Sequence, residues 1–332
     1  MRYSLIIPTY NRAASLRSTL DSIMKLSFPD QTEVIVVDNN SDDDTKGVVT
    51  SEAPAFPVPL RYVFEAEQGR SAALNAGVAA SSGDYILVTD DDVQVDPSWI
   101  EAAARSFEHW PCDYLGGKVL PIWEEQRPSW LPNRPGKHWA VIGLLDYGEE
   151  AFPLDTRVPI GVNMAFRRSA FESAGLWNND VGRRGATLLG QEVREWGLRA
   201  KRAGLIGFYV PDMVVHHVIP RNRLTKKYFR KWFYWHGISR AILFKDHNVD
   251  MESPEETMLD FSKIPQIAGV PRYMYRSCLR MLKAATVTTL RRDRIASFEN
   301  ELWVWFFIGI LRQRWRDTHR PQSASAMQPK CD

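Results

Sequence analysis

Three short apolar runs constrain this chain more than any other feature. Ser4–Pro8 (SLIIP), Glu33–Val37 (EVIVV) and Tyr85–Thr89 (YILVT) each run directly into polar residues, at Thr9–Asn11, Asp38–Asp42 and Asp90–Asp92. Bounded this tightly and rich in Ile and Val, they read as buried strands. Helical patterns separate them. Leu16, Leu20 and Ile23 recur at helical spacing within Ala13–Leu26, Asp42–Ser51 suits a short helix, and Ser71–Ala80 is small and Ala-rich. Leu60–Phe64 adds a strand and Pro97–Phe107 a helix. Strands alternating with helices at this spacing imply βαβ units and a mostly parallel sheet. Ligands of such sheets bind beyond the carboxyl ends of the strands, so the three polar clusters point to one edge of one sheet.

The rest of the chain is less regular. Residues 111–160 are rich in Pro and Trp and read as a strand around Leu115–Leu120 followed by a long loop over the site. Val162–Arg167 reads as a strand, Ser169–Ala174 and Gln191–Ala203 as helices, and Phe208–Val210 and Val214–Val218 as two short strands. From Leu224 onward the pattern is helical, broken at Pro254, Pro265 and Pro271, and residues 321–332 read as a flexible tail.

The acidic triplet Asp90-Asp91-Asp92 carries the first chemistry. Three adjacent carboxylates repel one another unless a cation sits among them. A hard ion such as Mg²⁺ prefers carboxylates and keeps room for phosphate oxygens, where it could neutralise a leaving diphosphate. Asp38 ends the second strand in a similar way. It could accept hydrogen bonds from a ribose or a base, or cap a turn.

These segments, with GVNMAFRRSAF (161–171) and LLGQEVREWGLRAKRAG (188–204), occur in an order and at spacings that resemble the family 2 inverting glycosyltransferases of the GT-A fold. The resemblance covers about residues 1–217. It implies a nucleotide-sugar donor, a divalent metal (Mn²⁺ or Mg²⁺) and inversion at the anomeric carbon. By position it implies that Pro8, Thr9, Tyr10, Asn11 and Asp38 line the base and ribose. Gly69, Arg70 and Ser71 would pass near the nucleotide, with Asn75 on the following helix. Gly161, Asn163 and Met164 resemble the segment flanking the donor sugar and acceptor. The triplet looks like the family's DxD motif, with Asp92 the best metal ligand, Asp90 on ribose or metal-bound water, and Asp91 beside the donor. His217 matches a histidine that completes the metal or diphosphate site. Arg221 and Arg223 could clamp the diphosphate or an acidic acceptor, or be solvated loop charges.

Inversion in one step needs a general base on the acceptor hydroxyl. The family usually supplies Glu-Asp before a helix, with Arg seven residues after the Glu. Glu192 and Arg199 keep that spacing, but Val193 stands at the Asp position. Glu192 is therefore the first candidate and Asp180, in the preceding loop, the second. Glu195 reads as an ion-pair residue.

Composition matters at two points. With 44% hydrophobic and 25% charged residues, the chain falls outside the collagen-like, disordered and disulfide-scaffold classes. Its net charge of +2 hides an asymmetry: residues 1–210 hold 21 Lys/Arg against 28 Asp/Glu, a net of −7, and residues 211–332 hold 21 against 12, a net of +9. The excess is concentrated in two aromatic-rich zones, 221–245 and 272–316. Basic and aromatic residues on helices suit an anionic membrane surface, or else an internal core with charges facing water. Nothing resembles a nucleic-acid module. The three cysteines lack metal-ligand spacing and fit a reducing interior. No signal peptide is read at the first residues, and no run reaches the roughly 20 apolar residues of a membrane span.

The expectation is a GT-A-like catalytic domain over 1–217, a helical basic and aromatic region over 218–320, and a tail over 321–332. The reaction is transfer from a nucleoside diphosphate sugar, UDP by the family's commonest usage, to a saccharide or lipid-linked acceptor. The location is cytoplasmic, peripheral on the inner face of the membrane. A sugar-nucleotide nucleotidyltransferase would need a Gly-rich loop after the first strand, where Pro8–Arg12 has no glycine. An inactive scaffold is the second rival, supported by Val193.

Overall fold

The apolar runs form the centre of one nine-stranded sheet in the computed structural model, which describes residues 1–29, 31–133, 135–155, 157–185, 187–247 and 263–319. Cys331, Pro254 and the expected tail lie outside these residues. The strands are β1 (Tyr3–Thr9), β2 (Thr32–Asp38), β3 (Leu60–Phe64), β4 (Tyr85–Thr89), β5 (Val93–Val95), β6 (Tyr114–Trp123), β7 (Phe152–Pro153), β8 (Asn163–Arg167) and β9 (Gly207–Ile219). Their order is β3-β2-β1-β4-β8-β6-β9-β5, with β7 paired to β9. The first four strands are parallel, and β8 joins them antiparallel to both β4 and β6.

Successive side chains of a strand point to opposite faces, and here both faces are covered. Leu5, Ile7, Val34, Val36 and Leu87 pack against α1 (Ala13–Ile23) and α4 (Trp99–His109). Ile6, Ile35, Val37, Ile86 and Val88 pack against α3 (Arg70–Ala80), α6 (Arg168–Ala174) and α7 (Glu192–Arg202). Helices on both faces explain why these strands are continuously apolar instead of alternating. The remaining helix of this half, α2 (Thr45–Glu52), packs on α1 and β3. The Ala-rich sequence of α3 lets it lie close over β1 and β2.

Two departures from the sequence reading bear on the site. Val93–Val95 forms a strand too short to carry a periodicity, pairing antiparallel with β9 so that Val93 opposes His217. The two expected strands at 208–218 are one strand. Gly117 and Lys118 of β6 pair with Val210 and Val214, so residues 211–213 bulge out. Pro211, which cannot donate to a ladder, is tolerated in such a bulge.

After β9 the described residues are mainly helical: α8 (Lys226–His247), α9 (Arg272–Leu290) and α10 (Arg294–His319), with a small two-stranded hairpin over 266–271 before α9 and a short α5 (Lys137–Val141) earlier, in the 124–162 segment. Phe229, Phe233, Phe298, Leu302 and Phe306 are buried in the same cluster as Leu131 and Trp139. The helices therefore share a core with that segment. Helices α8 and α10 meet at glycines. A Cβ on Gly237 would lie 2.0 Å from the Phe306 carbonyl oxygen, and one on Gly309 2.0 Å from that of Tyr234. Only residues without a Cβ let the two backbones approach this closely.

Candidate active site

Strand pairing brings the polar clusters together. Thr9 is in register with Asp38 at the carboxyl ends of β1 and β2. Beyond the end of β4, the Thr9 hydroxyl donates to Asp91 at 2.7 Å. The Val218 N–H donates to the Asp92 carbonyl, and the β5–β9 pairing sets the His217 ring Nε2 at 3.1 Å from the Asp92 carboxylate. His217 is 2% exposed, while His216 turns to the other face and is half-buried.

Three guanidiniums meet four carboxylates. Arg12 bridges Asp91 at 3.1 Å and Asp92 at 2.6 Å. Arg223 reaches Asp92 at 3.3 Å. Arg70, at the first turn of α3, bridges Asp90 at 2.7 Å and Glu192 at 3.3 Å and donates to the Gly161 carbonyl at 2.9 Å. A Cβ on Gly161 would lie 2.9 Å from the Arg70 guanidinium, so this glycine makes room for the bridge. Burial opposes the charge of Arg70, but Asp90 and Glu192 hold its pKa above the ordinary arginine value. Burial and the neighbouring Asp92 raise Asp91 to about 6. Burial would also raise Asp92, but His217, Arg223 and Arg12 together drive it well below the usual carboxylate range.

These groups border a pocket of about 350 Å³. Pro8, Thr9 and Tyr10 line it on the β1 side, Gly69 and Arg70 at the start of α3, the three aspartates after β4, and Arg183, Gly185, Thr187 and Leu188 from the loop before α7. Glu192, the first residue of α7, is 8% exposed. Its Oε1 accepts from Arg70, and its Oε2 is buried without a hydrogen-bond partner. Glu192 and Val193 line a second pocket, next to the first across the Gly161–Arg70 contact.

Several candidates stand elsewhere. Asn163 is fully buried, donating to the carbonyls of Lys118 and Met213 and accepting from Trp99. It clamps three strands and lines neither pocket. Asn75 ties α3 to the backbone at Trp177. Both carboxylate oxygens of Asp38 are used, by the Ser41 N–H and the Tyr62 hydroxyl. It is the turn-capping residue, and the neighbouring Asn39 lines the pocket instead. Asn11 accepts from the Asp42 N–H at the rim. Arg221 is largely exposed and pairs with Glu125, away from the pocket. Asp180 is exposed and lines neither pocket. Glu195 pairs with Arg199 as expected. The sequence reading missed Arg12, whose only signal was its place in the turn after the first strand, and Arg183, which gave none.

Two donors fit a divalent ion. The Asp92 carboxylate and the His217 imidazole converge within 3.1 Å, and magnesium-like ions need only one or two protein ligands beside phosphate oxygens. Asp90 does not join them, because its carboxylate is turned to Arg70. Among the described residues no three His, Cys, Asp or Glu side chains converge to hold an ion.

The sequence model of the glycosyl transferase family 2 matches residues 4–175, which is 172 of the 332 residues. The chain belongs to glycosyltransferase family 2. This family 2 glycosyltransferase is 26% identical over 247 residues to glucosyl-dolichyl phosphate glucuronosyltransferase of Haloferax volcanii, covering 73% of this chain and 77% of that one. It is 27% identical over 229 residues to glycosyltransferase AglE of the same organism, covering 68% and 70%. Among solved structures it resembles a mannosyltransferase of Pyrobaculum calidifontis in complex with GDP-Man and Mn²⁺, with a TM-score of 0.63 and 18% identity over 95% of this chain and 87% of that one. It also resembles residues 1–349 of S. aureus TarS, with a TM-score of 0.52, 15% identity and 96% and 92% coverage. The fold is the GT-A fold of these glycosyltransferases.

Proposed function

We propose that this family 2 glycosyltransferase moves a sugar from a nucleoside diphosphate sugar, with UDP as the favoured nucleotide, to an acceptor hydroxyl with inversion. The observation that carries the reading is Glu192. One of its oxygens is buried and unpartnered, and the other is tied through Arg70 to the acid triplet. A carboxylate with a free acceptor lone pair next to the donor pocket suits a general base. Glu192 takes the proton of the acceptor hydroxyl as that oxygen attacks the anomeric carbon and the diphosphate departs. Arg70 holds the base at a constant distance from the donor side. Arg12 and Arg223 supply donors for the diphosphate in place of their present carboxylate partners. Asp92 and His217 would hold Mn²⁺ or Mg²⁺, which supplies charge neutralisation for the leaving group.

Catalysis belongs in this reading to residues 1–217, and acceptor and membrane contact to 218–320. Glucosyl-dolichyl phosphate in the name of one relative supports a lipid-linked acceptor. An anionic membrane surface is favoured by α9 and α10, where Leu279, Leu282, Val287, Leu290, Ile295 and Trp315 are exposed beside exposed Arg276, Arg280, Lys283, Arg291, Arg292 and Arg294. The experiment is donor turnover. With Mn²⁺ and a panel of nucleotide sugars, the chain releases nucleoside diphosphate from one of them, and Asp92→Ala abolishes the release. Release from none of the panel, or release untouched by Asp92→Ala, counts against the reading.

A further inference from the structure

The second pocket, of about 400 Å³, lies between the start of α7, residues 158–161 and the helices α8 and α10. Two consecutive residues at its α7 edge, Gln191 and Glu192, are 7% and 8% exposed. Gln191 Oε1 and Glu192 Oε2 are both buried without a hydrogen-bond partner. A buried acceptor left unpaired is costly, and two side by side call for an explanation. The Gln191 amide is also fixed in direction. Its Nε2 donates to the Gly190 carbonyl at 2.9 Å, and a carbonyl can only accept, so the nitrogen stands at that end. The same nitrogen meets His236 Nδ1 at 3.2 Å. That contact requires a neutral imidazole with its proton on Nε2. Burial, with Arg240 and Arg194 nearby, holds His236 well below the ordinary histidine range. Its ring stacks on Trp232 with centroids 4.6 Å apart and lies 5.4 Å from Phe306. Gln191 is therefore left with its oxygen, and not its nitrogen, as the unsatisfied end.

Two neighbouring acceptors ask for two neighbouring donors. Trp232, Phe233, Trp303 and Phe306 wall much of the rest of the pocket, and their flat faces suit the C–H face of a sugar ring. We propose that this pocket takes a pyranose with free hydroxyls on two adjacent carbons, and that Gln191 reads the hydroxyl next to the one that attacks. The proposal rests on the transferase reading, with Glu192 as base, and adds to it the regiochemistry of the acceptor. The attacking hydroxyl gives its proton to Glu192 Oε2 while its oxygen bonds to the anomeric carbon and the bond from that carbon to the diphosphate oxygen breaks. The neighbouring hydroxyl keeps its proton and donates it to Gln191 Oε1. Gln191 is thus a specificity-determining residue. A sugar lacking that neighbouring hydroxyl leaves Oε1 unpaired and is rejected, as sites built to hydrogen-bond a hydroxyl reject the analogue without it.

The test uses the full chain and saturation-transfer NMR titrations with the methyl pyranosides of glucose, mannose and galactose. At least one should bind, and its monodeoxy analogues at ring positions 2, 3 and 4 are then compared. Removal of either of two adjacent hydroxyls should weaken binding about fivefold or more, and removal of the remaining one much less. Gln191→Leu should weaken the parent glycoside by a similar factor. In that variant the analogue lacking the neighbouring hydroxyl should bind as well as the parent, while the analogue lacking the other hydroxyl keeps its penalty. Binding of none of the three glycosides, or a deoxy series with no adjacent pair of sensitive positions, overturns the proposal on the wild-type chain alone. Penalties unchanged in a folded Gln191→Leu overturn it as well. Donor turnover by the wild-type chain is measured in parallel. An adjacent pair of sensitive hydroxyls without turnover of any donor would support the pocket and remove the transferase reading. Turnover with a flat deoxy series would do the reverse.

Discussion

Arg70 is the residue on which the two halves of the site depend. It is buried, and its planar fork holds Asp90 on one side and Glu192 on the other. A lysine carries the same charge but not the fork geometry. Arg70→Lys should therefore lower kcat about 10²-fold through misplacement of Glu192, with little change in the melting temperature, as read by steady-state kinetics and calorimetry side by side. Glu192→Gln keeps the shape and the Arg70 contact but removes the proton acceptor. We expect transfer to fall by roughly 10²–10⁴-fold while nucleotide-sugar affinity, followed by calorimetric titration, stays within a few-fold. A kcat close to wild type in Glu192→Gln would assign the base elsewhere.

At the scale of elements, two joints deserve testing. Glu33, at the start of β2, is held by the Ser4 and Ser82 hydroxyls, the Ser82 N–H and Arg61, so it ties β1, β2, β3 and the turn before β4. Burial opposes its charge, but these donors outweigh it and bring its pKa down to about 2. A carboxylate depressed in the folded state adds stability above its unfolded pKa, near 4.5, and loses it as pH falls toward 2. In urea titrations the wild type should therefore exceed Glu33→Gln in stability at pH 7, with the gap closing between pH 4.5 and 2. A gap constant with pH would show that the charge is not what the site stabilises. The second joint is α8 against α10. Gly309→Ala puts a methyl into the Tyr234 carbonyl, and overpacking of this kind costs about 1–3 kcal/mol. The melting temperature should drop, as differential scanning calorimetry would read it.

At the scale of the whole molecule, charge and apolar surface are distributed unevenly. The zone 221–245, although basic and aromatic, turns Phe229 and Phe233 inward, and Arg230 pairs with Glu301. Among the described residues of the helical region, most of the exposed large apolar side chains lie on α9 and α10 instead. No helix among the described residues is long and apolar enough to cross a membrane. If the α9 face meets a surface, the chain should co-sediment with liposomes containing anionic lipid and much less with neutral ones. Leu279→Glu with Leu290→Glu should abolish the difference, and equal, negligible binding to both lipids would remove the idea.

What the sequence determined alone was local or repetitive: the buried strands with their period and their polar ends, the helices between them, and the edge at which Thr9, Asp38 and Asp90–Asp92 gather. Those follow from burial and from backbone chemistry that each segment carries within itself. Tertiary structure decided which of these polar residues line the pocket. Asp38 and Asn163 are spent on a turn and on strand carbonyls, and Asn39 and Arg12 take places at the pocket. It also decided that Arg70 joins Asp90 to Glu192, across 122 residues of sequence, and that the basic helices close an aromatic pocket beside Glu192. Side-chain direction at a strand end depends on what packs against it from distant segments. No window of neighbouring residues contains that information.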